Sequence, residues 1–94
     1  MNRKTEIIIK QAELLKKNNK IIEAINLLKK GLVSYQDNPE ILSLLSNLFI
    51  INNEIENAEK YLLKAASLDS NLQSIGLNKV RLNIKRKEFG EALK

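Results

Sequence analysis

The same pattern of residues returns along this chain at a fixed interval of 34 positions. The segment EIENAEKYLLKAASLDS at 54–70 lies over KIIEAINLLKKGLVSYQ at 20–36 without a gap. A fixed period of this length is typical of proteins built from repeated units, in which each unit buries its apolar face against its neighbour. Identical residues relate the first two copies at this interval, among them Asn18/Asn52, Asn19/Asn53, Ile21/Ile55, Ala24/Ala58, Leu28/Leu62 and Lys30/Lys64.

The spacing of apolar residues within each copy predicts helices. Ile8, Ala12 and Leu15 share one helical face, and Ala58 and Leu62 follow the same rule in the second copy. Since apolar residues recur in this way over nearly the whole chain, we predict an all-α fold.

Three short motifs mark where the predicted helices end and begin. Asn18-Asn19 and Asn52-Asn53 predict tight turns, because asparagine tolerates the left-handed conformation that ends many helices. The DNP motif at 37–39 separates the first two copies, and proline is accepted in the first turn of a helix. We therefore expect Asp37 or Asn38 to cap the helix that follows.

The third copy is incomplete. We expect one domain, with repeat 1 at about 5–38, repeat 2 at about 39–72 and an incomplete repeat 3 at about 73–94. A helix is predicted from about Leu72 to Arg86, and EFGEALK at 88–94 then reads as the start of another helix.

The predicted helix from Leu72 carries two apolar stripes. Leu72, Ile75 and Leu82 suit packing on the second copy, and a further stripe lies on another side at Leu77, Val80 and Ile84. Either the chain is a piece of a longer array, or another copy of the chain covers this stripe. The unfinished third copy favours the first interpretation.

Two helices per 34 residues, with a small residue where they cross, resemble the tetratricopeptide repeat family. The resemblance implies a right-handed α-solenoid of antiparallel helix pairs with about two and a half repeats. It also implies close helix crossings at small residues, where a larger side chain would push the paired helices apart. The expected crossing positions are Ala12, Ala24, Gly31, Ser46, Ala58, Ala65 and Ala92.

The resemblance further implies a partner site, since the first helix of each pair in this family lines a concave groove that holds peptides or helices. Carried over by alignment, the groove residues are Ile9, Glu13, Lys16, Ser43, Asn47, Ile50, Ile51, Leu77, Arg81 and Ile84. This lining suits an amphipathic helix or an extended apolar peptide. We expect Asn47 to hydrogen-bond a peptide backbone and Arg81 to meet a partner carboxylate.

One activity of the family is not expected. Some members clamp a C-terminal carboxylate with lysine, asparagine and arginine side chains. The aligned positions here are Ile9, Glu13, Leu44, Ser74 and Asn78, which form no cationic cradle.

Composition excludes several other classes of function. The chain has no cysteine and no histidine, which removes disulfides, thiolate catalysis and the commonest metal ligand and general base. It also has no glycine-rich phosphate loop. We therefore expect a binding module or scaffold, with no enzyme activity, cofactor or metal.

The net charge of +5 is distributed unevenly. Residues 76–94 carry six basic and two acidic side chains, whereas residues 39–75 carry two and five. An alternative is therefore nucleic-acid association through Lys79, Arg81, Lys85, Arg86 and Lys87. The longest basic run is three residues, so a protein or peptide partner is favoured, with self-association or a passive spacer role as further alternatives. Without a signal peptide or an apolar run of about 20 residues, we expect a cytoplasmic protein and no membrane partner.

Overall fold

The computed structural model describes residues 3–36 and 38–92, and side chains in this part as far as Glu88. The described residues form helices and no strand, which confirms the all-α prediction. The helices are α1 (Arg3–Lys17), α2 (Ile21–Ser34), α3 (Pro39–Ile51), α4 (Ile55–Leu68) and α5 (Gln73–Ala92). Their starts keep the sequence period, since α2 and α4 begin 34 residues apart, as do α3 and α5.

The two asparagine pairs end α1 and α3 in the same way. Asn19 and Asn53 have φ angles of 62° and 61°, in the left-handed region. After α3, the Glu54 N–H donates to the Phe49 carbonyl at 2.8 Å and the Asn53 N–H donates to the Ile50 carbonyl at 3.1 Å. These are the two bonds of the Schellman motif, which satisfies carbonyls at a helix end. The prediction of tight turns at both pairs is confirmed.

The start of α3 also follows the sequence prediction. Asn38 is the N-cap, and its Oδ1 accepts a hydrogen bond from the Ile41 N–H at 3.0 Å, with Pro39 in the first turn. Asp37, the other predicted cap, lies outside the described residues.

Helix α3 is the centre of the fold. It packs against α1, α2, α4 and α5, and every residue from Ile41 to Ile50 except Leu44 is buried. α1 and α5 each lie against α3, and within the described residues their backbones make no close contact with each other. α3 therefore forms a floor between α1 and α5.

Small residues lie where the helices approach one another. Ser46 Oγ donates to the Ala58 carbonyl at 2.9 Å, which links α3 to α4. A Cβ atom at Gly31 would lie 3.3 Å from Ile8 Cγ2 on α1, so α2 and α1 are in close contact there. Six of the seven predicted crossing residues are buried: Ala12, Ala24, Gly31, Ser46, Ala58 and Ala65.

The expectation that a new helix starts near residue 88 is wrong, because α5 continues without a break from Gln73 to Ala92. Arg86 and Lys87 stand 34 residues after the asparagine pair that ends α3. Both are good helix formers, and unlike asparagine they adopt the left-handed conformation only at a steric cost. Arg86 also forms an ion pair with Glu59 of α4.

Because α5 is unbroken, Ala92 lies on a different helix from the one predicted. The 34-residue series predicts Ala92 on a second helix of the third copy, whereas it is the last residue of α5. Its side chain lies outside the described part of the chain.

The two predicted stripes of α5 are confirmed. Ile75 and Leu82 are buried against the rest of the fold. Leu77, Val80 and Ile84 are about half exposed. Leu77 and Val80 define what we call the outer face of α5, whereas Ile84 shares a cavity with Ile50 and Ile51 of α3.

Candidate binding groove

A groove runs along α3 between α1 and α5. It consists of two adjoining cavities, of about 350 and 400 Å³, that share Lys16, Asn47 and Arg81. One of these three residues comes from each of α1, α3 and α5. The three helices that the 34-residue period relates therefore all contribute to the same cleft.

The first cavity, here the serine end, contains most of the hydroxyl, amide and acidic side chains of the groove beside apolar ones. Besides the three shared residues, it is lined by Ile9, Glu13, Glu40, Ser43, Leu44, Leu72, Gln73, Ser74 and Asn78. The second cavity, here the isoleucine end, is lined by Ile50, Ile51, Ile84 and Lys85 in addition to the shared residues. No acidic side chain lines the isoleucine end within the described part of the chain.

Hydrogen bonds between α3 and α5 pair three polar side chains of the serine end, Ser43, Ser74 and Asn78. Ser43 Oγ and Ser74 Oγ share a hydrogen bond of 2.6 Å. The side chain of Asn78, which is fully buried, donates from Nδ2 to the Ser43 carbonyl at 2.9 Å and to Ser43 Oγ at 3.3 Å. Buried polar groups that are fully paired hold two elements in a single register. The serine end therefore fixes α5 on α3.

Two buried asparagines position the two shared cations. Arg81 donates from a guanidinium nitrogen to Asn78 Oδ1 at 3.2 Å. Across the groove, Lys16 Nζ donates to Asn47 Oδ1 at 2.7 Å. Each cation is thus held by a buried asparagine, and neither forms an ion pair with an acidic side chain of the described residues.

The environment of Lys16 is unfavourable to its own charge. Burial lowers the pKa of the Lys16 ammonium group, the positive charge of Arg81 lowers it further, and the charge of Glu13 opposes both effects. Lys16 and Arg81 therefore interact across the groove, and an anion placed between them would relieve their repulsion.

The isoleucine end combines this charge with accessible apolar surface. Ile51 on α3 and Ile84 on α5 are 41% and 52% exposed, whereas Ile50 beneath them is buried. Lys85 adds a third cation, which lies 3.9 Å from Glu88 and is only weakly paired with it. This end of the groove can receive an apolar side chain beside an anionic group.

Nine of the ten groove residues predicted from sequence line these two cavities. The exception is Leu77, which lies on the outer face of α5. Ser43, Asn47 and Ile50 are part of the floor, because each is almost fully buried. Asn47 Oδ1 already accepts from Lys16, so the amide nitrogen is the group that remains for a partner.

Sequence reasoning missed the structural part played by Ser74 and Asn78, which it considered only as members of a carboxylate clamp. A signal for Asn78 was present, because it stands three residues after Ile75 and four before Leu82. A polar residue on a buried apolar stripe needs an internal partner. Lys85 was considered only as one of the basic residues near the end of the chain. Its position in the groove beside Arg81 could not be predicted from the order of residues alone.

The basic residues of α5 do not form one patch. Arg81 and Lys85 line the isoleucine end, whereas Lys79 and Arg86 line another cleft between α4 and α5. Lys87 lies apart from both clefts and is exposed. The cations that would contact a nucleic-acid backbone together are therefore divided between separate sides of the helix.

Comparisons with protein-family models, with curated proteins and with solved structures find no match to this chain. Among the helices that the structure describes, none combines the length and the apolar character needed to cross a bilayer.

Proposed function

We propose that this chain is a protein-interaction module that binds a peptide or a short helix of a partner in the groove between α1 and α5. We also propose that its helices form a right-handed solenoid of the tetratricopeptide type. The 34-residue period of the helix starts supports this finer fold, as do the small residues at the α1–α2 and α3–α4 contacts.

One observation carries the binding proposal: exposed apolar side chains lie in the groove next to hydrogen-bonding side chains that are already held in position before a partner binds. Ile51 and Ile84 are exposed on rigid helices, and Lys16 and Arg81 are already held by buried asparagines. Binding costs less when side chains do not have to be ordered on association. A groove with two or three apolar positions and a few fixed polar groups matches the way short helices and peptides are bound.

The chain offers matched controls for a test. Twelve-residue peptides are selected from a random display library on the immobilised chain, and the affinity of the best binder is measured. The double variant Ile51→Ser/Ile84→Ser removes apolar surface from the groove. The control, Val33→Ser/Leu63→Ser, removes two residues that are at least as exposed but lie on α2 and α4.

We expect the groove variant to weaken binding about 10-fold or more, because two half-exposed isoleucines contribute about 1 kcal/mol each. The control variant should keep the affinity of the parent chain. Binding that both variants weaken equally, or a library that gives no binder, would contradict the proposal.

A further inference from the structure

The isoleucine end of the groove has a charge pattern that the need for a stable fold does not explain. Lys16, Arg81 and Lys85 line it, and no acidic side chain of the described residues does. Two of these cations repel each other across the groove, and the burial of Lys16 adds to the cost of its charge. A folded chain gains nothing from this arrangement by itself, since like charges at close range are destabilising.

Lys16 and Arg81 are nevertheless held in place by hydrogen bonds. Lys16 is fixed by Asn47 on the floor, and Arg81 by Asn78, which is itself bonded to Ser43. Donors held in position before the ligand arrives form charge-assisted hydrogen bonds without an ordering cost. The two cations therefore form a preorganised binding subsite for an anion.

The apolar neighbours restrict what kind of anion fits. Ile50, Ile51 and Ile84 share this end with the cations, and no aromatic side chain lines it among the described residues. Single-stranded nucleic acids depend on aromatic side chains for base stacking, so a phosphate backbone would leave the isoleucines without a partner. A peptide carboxylate beside an apolar side chain would contact both the cations and the isoleucines of this lining.

Glu13 determines which end of the groove receives the carboxylate. It lines the serine end together with Glu40 and is absent from the isoleucine end. A carboxylate at the serine end would face two acidic side chains, whereas the lining of the isoleucine end contains three cations and no acidic side chain, although Lys85 is weakly paired with Glu88 beside it.

We propose that the isoleucine end binds an acidic side chain of a partner peptide, Asp or Glu, between Lys16 and Arg81, with an adjacent apolar side chain on Ile51 and Ile84. This inference rests on the proposed peptide-binding function and adds the chemistry of the partner to it. The expected ligand is an acidic and apolar segment rather than an apolar one alone.

The test uses the same random twelve-residue library. Binders of the parent chain should be enriched in Asp and Glu next to apolar residues. For the best binder, replacing the key acidic residue by its amide should weaken binding about 5–10-fold, as expected for a partly screened charge-assisted bond. Arg81→Gln should lower the affinity for the acidic peptide by a similar factor. It should lower the affinity for the amide peptide far less.

Lys87→Gln is the matched control, because it removes the same charge from the exposed surface of the same helix outside the groove. It should leave the affinity for the acidic peptide nearly unchanged. Lys16→Gln serves as a second groove variant, and circular dichroism verifies that each variant is folded.

The outcomes separate the two proposals. Binders that require Ile51 and Ile84 but show no acidic enrichment would overturn the carboxylate subsite and leave the peptide-binding function standing. Equal losses in Arg81→Gln and Lys87→Gln would also overturn the subsite, since the charge effect would then be unspecific. Displacement of the bound peptide by a twelve-nucleotide RNA is compared with displacement by free acidic peptide. If the RNA competes more effectively, the ligand of the subsite is a phosphate backbone and the carboxylate proposal is overturned. The absence of any binder would overturn both proposals.

Discussion

The two ends of the groove are built from the same three helices and differ in how their polar groups are used. At the serine end, Ser43, Ser74 and Asn78 bond to one another and join α3 to α5. At the isoleucine end, Lys16 and Arg81 have no acidic partner among the described residues, and apolar side chains remain exposed beside them. Polar groups that pair between helices stabilise their contact, whereas cations without an acidic partner create a place for an anionic ligand.

This contrast separates stability from binding along one cleft. Changes at the serine end should lower the free energy of unfolding, and changes at the isoleucine end should affect affinity with little loss of stability.

The largest effect is expected for Asn78→Ala, which removes the buried amide that bridges α5 to Ser43. It should lower the free energy of unfolding by about 1–3 kcal/mol, because the hydrogen bonds from the Asn78 amide to Ser43 are lost from a buried site. The control Asn83→Ala makes the same chemical change at an exposed position of the same helix. Urea denaturation of both variants measures the difference, and equal stabilities would show that the serine end does not hold α5 in place.

A smaller effect on stability is expected at the other end. Ile51→Ser and Ile84→Ser should each lower the free energy of unfolding by about 1 kcal/mol or less, because both side chains are already half exposed. Denaturation curves of the two single variants test this. If either variant loses as much free energy of unfolding as Asn78→Ala, the isoleucines stabilise the fold. The proposed difference between the two ends would then be wrong.

The smallest effect concerns the titration of Lys16. Since the positive charge of Arg81 lowers the pKa of Lys16, Arg81→Gln should raise that pKa toward its ordinary value of 10.5, although burial still holds it lower. In the parent chain, the unfolded state binds more protons just below pH 10.5. The contribution of Lys16 to the free energy of unfolding therefore increases as the pH rises through that range.

Carbon-13 NMR of the lysine Cε atoms follows this titration directly. Lys87→Gln should leave the pKa of Lys16 unchanged, because Lys87 lies outside the groove. An equal rise in both variants would indicate a general effect of net charge rather than a contact between Lys16 and Arg81.

Much of the helical framework could be predicted from sequence, because the signals are local. The asparagine pairs determine where α1 and α3 end, and Asn38 with Pro39 determines where α3 begins. The extension of α5 could not be found from the repeat alone. The third copy has Arg86 and Lys87 where the earlier copies have asparagine, and these residues continue the helix through the place of the expected turn.

The groove was predictable as a set of positions and less so as a chemical site. The period places Lys16, Asn47 and Arg81 on corresponding helices, so their proximity follows from the fold. Which polar groups remain available depends on side-chain pairing across α3. The Ser43–Ser74 bond and the Lys16–Asn47 bond join residues 31 positions apart, and local sequence patterns carry no information about such pairs.

The most direct test of the account is a double-mutant cycle between Arg81→Gln and the acidic-to-amide change in the selected peptide. We predict a coupling free energy of about 1 kcal/mol or more, since the two groups form a partly screened charge-assisted bond. The same cycle with Lys87→Gln should give a coupling near zero. A coupling near zero for Arg81 as well would contradict the assignment of the isoleucine end as the site that recognises the partner.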